Sequence, residues 1–346
     1  MPKNRSSLAQ RLFSRLSGQG MSVADFFQDN RGIALVITLL IVSLILFFTL
    51  NLRIDIHADL DGTANLKDSI RLSYMARSVF NQGLAILIKD AQETSVDSLL
   101  EDWAKVRGVY VSRPFFPDGR ARLRIEDHSG RIQVNHLIKS DGDFDPIYRS
   151  LMKRFLKLPQ FKLSPEEING ILSALKDWMD PDHKTTPAGA EEAYYQSLER
   201  PYHCKDGPLD SLRELLLVKG ITPELFYGTP KEPGISRYLT VWGEGKININ
   251  TADTLVLKVL AEGIEEEMAR EMDVYRRDPG HDLSDPTWYK DIPWMTHITI
   301  DSSLITTVSN CFEITAEAYT GKMERRVTGV VLRKGKIPEL LSFKVE

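Results

Sequence analysis

Cysteine is scarce in this sequence: Cys204 and Cys311 are the two among 346 residues. That excludes a thiol-rich metal centre, because closed zinc sites take several Cys or His ligands. In an oxidising compartment the pair can form one disulfide; left unpaired, they serve as small core residues. An excess of one charge is missing as well. Lys+Arg number 44 against 48 Asp+Glu, for a formal net charge of -4. So mild an acidity argues against nucleic acid as the main partner. There is no P-loop or dinucleotide fingerprint, and the 7 His residues are scattered. The sequence thus offers no nucleophile constellation, and an enzyme is not expected.

Long apolar runs are also missing, with one exception. Residues 33–50 carry no charge, and their only polar members are Thr38, Ser43 and Thr49. As a helix the run is roughly 27 Å long, enough to cross a bilayer core. Ahead of it Lys3, Arg5, Arg11, Arg15 and Arg31 outnumber Asp25 and Asp29. That cationic excess predicts a cytoplasmic start, with the remainder across the membrane. After the run comes Asn51-Leu52-Arg53-Ile54-Asp55, which lacks the small residues of a signal-peptide cleavage site, so the helix stays attached.

Beyond residue 50 the polarity rises but helical spacing continues. Leu72, Met75, Ala76, Val79, Gly83 and Ile86 form one stripe, with Arg71, Arg77, Gln82 and Lys89 around it. One long helix over about 33–89 is predicted, its second half packing a stripe onto a sheet. Residues 109–112 read as a strand ended by Pro114. Residues 120–126, RARLRIE, alternate with Ala121, Leu123 and Ile125 on one face. Asp127 to Gly130 read as a turn and 131–135 as the returning partner strand.

From about 136 to 300 the pattern is mostly helical. Ser164-Pro165-Glu166-Glu167 is a strong helix start, and that helix is expected to reach about Trp178. Helices are also predicted at 209–219, from Pro223, at 251–260 and at 265–277. Strands return at 310–319 and 322–332 around Thr320-Gly321, a hairpin signal. The order predicts an α+β fold with a helical insertion. A small internal echo links Gly130-Arg131-Ile132-Gln133-Val134-Asn135 with Gly245-Lys246-Ile247-Asn248-Ile249-Asn250.

The N-terminal stretch Arg31-Gly32-Ile33 resembles a type IV prepilin signal, in which a peptidase cuts after Gly. The resemblance implies processing between Gly32 and Ile33, and methylation. The class usually carries Glu at the fifth mature position, which here is Ile37. That absence, the large size and the helical insertion resemble the protein K family, minor pseudopilins of type II secretion. Local strings are similar too: Asp177-Trp178-Met179-Asp180-Pro181-Asp182, Gly189 to Tyr195, Pro201-Tyr202, Gly207-Pro208-Leu209, Leu212-Arg213-Glu214-Leu215 and Lys246 to Ala252.

The family implies a pilin-like long N-terminal helix on an antiparallel sheet, with an inserted all-α domain of SAM or helix-hairpin-helix type. Expected boundaries are a leader at 1–32, a membrane span at 33–50, a pilin-like domain at 51–136 plus 301–346, and the insert at 137–300. A tip subunit of the pseudopilus is implied, which joins other minor pseudopilins through the N-terminal helix. It would sit in the inner membrane with its body in the periplasm.

Two local features invite a ligand. Asp177, Asp180 and Asp182 lie at a helix end and in the loop after it, with Glu191 and Glu192 shortly beyond. On spacing alone they are solvated loop acids or an oxygen-rich cation site; no EF-hand loop is present. The resemblance implies calcium bound by acids of the helical domain. Residues 248–252, leading into two helices around Gly263, have the shape of a helix-hairpin-helix, a module that can grip phosphates. Glu265-Glu266-Glu267 at that spot would repel them, so a packing module without nucleic acid is expected. The alternatives are an anchored DNA-uptake protein and an anchored periplasmic hydrolase with a deep polar cleft.

Overall fold

The computed structural model describes residues 32–106, 109–111, 120–321, 323–334 and 338–346. The leader up to Arg31, the strand end at Ser112 and Pro114, and Lys322 lie outside the described residues. The chain divides into two units, Met1–Lys67 and Asp68–Glu346. The long helix α1 is Ile33–Glu93. In the first unit its apolar residues are exposed throughout, from Leu35 at 71% to Leu50 at 58%. The hydroxyls of Thr38, Ser43 and Thr49 donate back to the carbonyls of Leu35, Leu40 and Ile45 at 2.9, 2.9 and 2.7 Å. Polar groups on this stretch are therefore satisfied within the helix, as hydrocarbon surroundings require.

In the second unit α1 buries one stripe: Leu72, Met75, Ala76, Val79, Phe80, Gly83 and Leu87. Ile86 is only half-buried, so the stripe runs on through Leu87 instead. Each fully buried Leu, Val, Phe or Met contributes about 1.5–3 kcal/mol relative to exposure. The receiving surface is a sheet of β1 (Val109–Val111), β2 (Arg120–Asp127), β7 (Cys311–Thr320), β8 (Met323–Leu332) and β9 (Glu339–Val345), antiparallel in that order. Ala121, Leu123 and Ile125 alternate inward as expected. β7 and β8 meet at Thr320↔Met323, which matches the hairpin signal. β9 had no sequence expectation.

The partner expected for β2 is different. Residues 131–135 do not return alongside it. β3 (Ile132–Gln133) pairs parallel with β4 (Leu239–Thr240), and Val134–Leu137 is a 3₁₀ turn. β2 pairs instead with β7, with Leu123↔Ala316 and Ile125↔Ile314. Ile132 and Val134 are apolar and fully buried in the helix-rich core, and that packing outweighs the local turn signal. The internal echo does have a structural counterpart. β5 (Ile247–Asn248) forms a second short parallel pair, with β6 (Ile305–Thr306).

Between β2 and β7 stand α3 (Pro146–Leu156), α4 (Pro165–Met179), α5 (Glu192–Gln196), α6 (Pro223–Tyr227), α7 (Thr254–Val259) and α8 (Glu266–Tyr275); α2 (Asp102–Lys105) precedes β1. Ser164 caps α4 in a full capping box with Glu167, as its sequence predicts. The helix expected at 209–219 is a 3₁₀ segment, Leu212–Leu217. Leu215 is its buried anchor while Leu217 is 42% exposed, so the run has no continuous α-helical stripe to bury. Two hydrophobic clusters result. One gathers α1, β2, β7 and β8; the other gathers side chains from Ile132 through Ile305, reaching past the expected limits of 137 and 300 on both sides. With its two short parallel pairs, this segment is mixed in secondary structure and is not all-α.

Close approach of α1 to the sheet depends on Gly83. A Cβ there would stand 2.8 Å from Cγ2 of Ile314 and 3.1 Å from Cδ1 of Leu123. Gly83→Leu is expected to cost about 1–3 kcal/mol in urea unfolding through overpacking. Gly62→Ala, with nothing within 4 Å of the added carbon, is expected to cost nothing.

Candidate functional site

The helix α4 delivers the first acids. Asp177 lies on its last turn, fully buried, and both carboxylate oxygens accept from the Thr186 N–H at 3.0 and 3.1 Å. Gly189 packs so close to Asp177 Oδ2 that no side chain fits there. Asp180 ends the helix in extended conformation, and Pro181 prevents its continuation. Its Oδ2 takes the Lys176 ammonium at 2.5 Å, while its buried Oδ1 has no partner.

The chain then turns back to Glu191, the N-cap of α5. Glu191 is 3% exposed, its Oε2 accepts from the Glu192 N–H at 3.3 Å, and its buried Oε1 is also unpartnered. A third orphan is Oδ1 of Asp206, a residue at φ 52°. Oxygens of Asp180, Asp182 and Glu191 lie within 4.8 Å of one another, and so do ligand atoms of His183, Glu191 and Asp206. Glu191 is common to both groups.

Of the five acids expected, the structure gathers Asp180, Asp182 and Glu191. Asp177 spends its oxygens on Thr186. Glu192 points elsewhere: it accepts from the Cys204 N–H and pairs with His203 Nδ1, both at 2.7 Å. Asp206 and His183 were missed. Asp206 comes from a separate loop, and its left-handed backbone before Gly207 was the one local signal.

Burial, helped by the neighbouring Asp177, Asp180 and Asp206, pushes Glu191 up to about 7. Burial likewise raises Asp180, with Lys176 opposing and Asp182 adding to it. Unpartnered buried carboxylate oxygens facing each other are unfavourable without a cation or a proton.

Elsewhere, α7 and α8 meet around Gly263, at φ 88°, against Ile298. At the start of α8, Glu266 and Glu267 are paired with Arg270 at 2.6 and 3.1 Å. Ile264, Ala269 and Met272 are buried, so the hairpin packs inward. A cavity of about 670 Å³ is lined by Trp103, Asp127, Arg131, Arg237, Asp253 and Arg276, among others. Its cations are paired: Arg131 with Glu126 at 2.7 Å, Arg237 with Asp253 at 3.5 Å and Arg276 with Asp273 at 2.5 Å. Both cysteines are free and buried, in separate places, and burial pushes each thiol up to about 12.

An apolar N-terminal helix whose continuation packs on an antiparallel sheet defines a mixed α+β protein with a helix-rich segment between two sheet strands. Residues 130–228 match the family model described as Type II secretion system (T2SS), protein K. The chain is similar to type II secretion system proteins K of several bacteria. It is 26% identical to the Aeromonas hydrophila protein K over 56% of this chain and 60% of that one. It is 26% identical to the Pseudomonas aeruginosa protein K over 68% of this chain and 69% of that one. The chain thus spans about 60% of the length of the Aeromonas relative. A solved chain from the GspK-GspI-GspJ complex of enterotoxigenic Escherichia coli has the same fold, with TM-score 0.67 and 16% identity, over 82% of this chain and 99% of that one.

Glu191 titrates the acidic cluster. A carboxyl raised from 4.5 to about 7 contributes stability that is lost as pH rises through that window. In chelator, Glu191→Gln is expected to match the wild type in melting temperature near pH 5 and to exceed it at pH 8. Coincident curves at both pH values would contradict the burial of Glu191.

Proposed function

We propose that this protein is a minor pseudopilin of a type II secretion system, the tip subunit of a periplasmic pseudopilus that helps start its assembly. The observation that carries this reading is the combination of a fully exposed apolar helix with a sheet-packed continuation and a protein K domain. Residues 33–50 are the inner-membrane anchor, and the body lies in the periplasm. The helix-rich segment is the inserted domain of the pilin-like fold; its bulk suits a tip, where it obstructs no subunit above it.

The solved relative is titled as a complex with GspI and GspJ. By extension, other minor pseudopilins are the partners here, met through α1. Ile70 and Tyr74, four residues apart on its solvent face and 50% and 71% exposed, offer apolar surface for them. Gly32, with nothing within 4 Å of a notional Cβ, suits close approach by a prepilin peptidase that cuts before Ile33.

The role is structural and not enzymatic. The paired cations of the cavity beside Arg131 support that, and the acidic, inward-packed α7–α8 hairpin supports a protein that does not bind nucleic acid. Calcium is the fitting cation for the acidic cluster: hard carboxylate oxygens in irregular geometry, with three buried oxygens lacking any partner. Asp180, Asp182, Glu191 and Asp206 would hold it, with Asp177 bracing the loop and Glu192 holding the loop at 203–204.

The mass of membrane-purified protein tests the anchor. With the prepilin peptidase present, the amino terminus is expected at Ile33; full-length protein with and without peptidase would refute pilin-class processing. For the metal, chelation is expected to lower the melting temperature. Asp180→Ala, Glu191→Ala and Asp206→Ala should abolish that response, whereas Glu192→Ala should keep it. A wild type indifferent to chelator would remove calcium from this site.

A further inference from the structure

The chain passes between its two hydrophobic clusters through a buried polar knot. Asp127 ends β2 as the chain leaves the sheet, and Ser309 stands where it returns to β7. Asp97, in the loop after α1, ties both sides. Its N–H donates to the Thr307 carbonyl at 2.9 Å. Its carbonyl accepts from Asn248 Nδ2 at 3.0 Å, and its carboxylate accepts from the Ser309 N–H at 2.6 Å. Arg333, just past β8, reaches Asp90 at 2.9 Å, the Ser309 carbonyl at 2.8 Å, and Asp97. Asn248 Nδ2 also donates to Ser309 Oγ at 2.7 Å.

The charges in this knot do not balance. One oxygen from each of Asp90, Asp97 and Glu101 falls within a 4.8 Å group, and the Arg333 guanidinium pairs with Asp90 and Asp97. Asp127 adds a carboxylate on the far side of Ser309. Glu93 stands outside Asp90, paired with Lys89 at 3.5 Å. Asp90 and Asp97 are 7% and 1% exposed, so water screens them little. Carboxylates this close to one another, and this dry, do not all stay ionised.

We infer that Asp90, Asp97 and Glu101 share a proton, and that this proton keeps the joint between the sheet and the helix-rich segment closed. The joint is then a pH-sensitive latch that loosens on the alkaline side. Burial acts on every member. It raises Asp90 and Asp97, and it pushes Glu101 up to about 7 and Asp127 up to about 6. A carboxyl raised in the folded state contributes stability that is complete below its unfolded value and lost as pH climbs through the folded one. For Glu101 that window runs from 4.5 to about 7. Glu101 Oε2 already accepts from the Ser98 N–H at 3.1 Å and from Trp103 Nε1 at 2.7 Å. A glutamine in its place keeps that oxygen and turns its amide, a permanent donor, toward the aspartates.

The test is thermal unfolding of the full chain in detergent from pH 5 to 8.5, with calcium present so that the acidic cluster around Glu191 is held constant. Wild type and Glu101→Gln are expected to coincide near pH 5 and to part as pH rises. By pH 8 the variant should melt higher by about 2–4 °C. Parallel curves would overturn the latch. Hydrogen exchange on the wild type decides the matter without a variant. The amides of Asp97 and Ser309 are expected to lose protection, beyond the chemical change in exchange rate, between pH 6 and 8. Unchanged protection factors would overturn it equally.

Discussion

The pairing of β2 with β7 is the constraint on which the rest of the body depends. Asp127 faces Phe312 and Arg120 faces Tyr319, so two strands far apart in sequence lie side by side at the centre of the sheet. Everything between them must leave and return at one place. That forces the helix-rich segment to fold on its own core, because its ends are already pinned. It also creates the surface on which α1 lies, since Leu123 and Ile314, which meet the helix under Gly83, come from these two strands.

The two hydrophobic clusters solve different problems. Around α1 a narrow stripe of side chains covers one face of a sheet, and close approach is bought with a glycine. In the helix-rich segment the elements are short, and order comes from capping and from buried polar ties. Arg154, for example, holds the last carbonyls of α7 with bonds to Val259 and Leu260 at 2.7 and 3.0 Å. The acidic cluster belongs to this second region. Its three orphan oxygens are the sort of deficit that a bound cation removes, and they come from the end of α4, the start of α5 and the loop that carries Asp206.

Some of this was legible in the sequence. The helical spacing from Leu72 to Val79 and the alternation of Ala121, Leu123 and Ile125 are carried by side chains whose periodicity survives in the fold. The capping residues of α4 are local chemistry and needed no tertiary context. Where reading failed, a long-range partner had outcompeted a local signal. The turn at Asp127 to Gly130 suggested a hairpin, yet Ile132 is drawn to Leu239 and β2 to β7. Glu192 looked like a neighbour of Glu191 in chemistry because it is a neighbour in sequence; opposite directions at the start of α5 separate them. Asp206 gave almost no signal because it approaches the cluster from another loop.

The sequence by itself determined that one helix is apolar on every face and then on only one, since that depends on composition and on a 3.6-residue period alone. It likewise determined where helices begin, because caps act within a few residues. Only the tertiary structure decided which strands pair, which carboxylates share a site, and that Arg333 is set against Asp90 and Asp97. Those outcomes depend on distances between residues remote in the chain, and on the loss of water around them, neither of which is written in any local stretch.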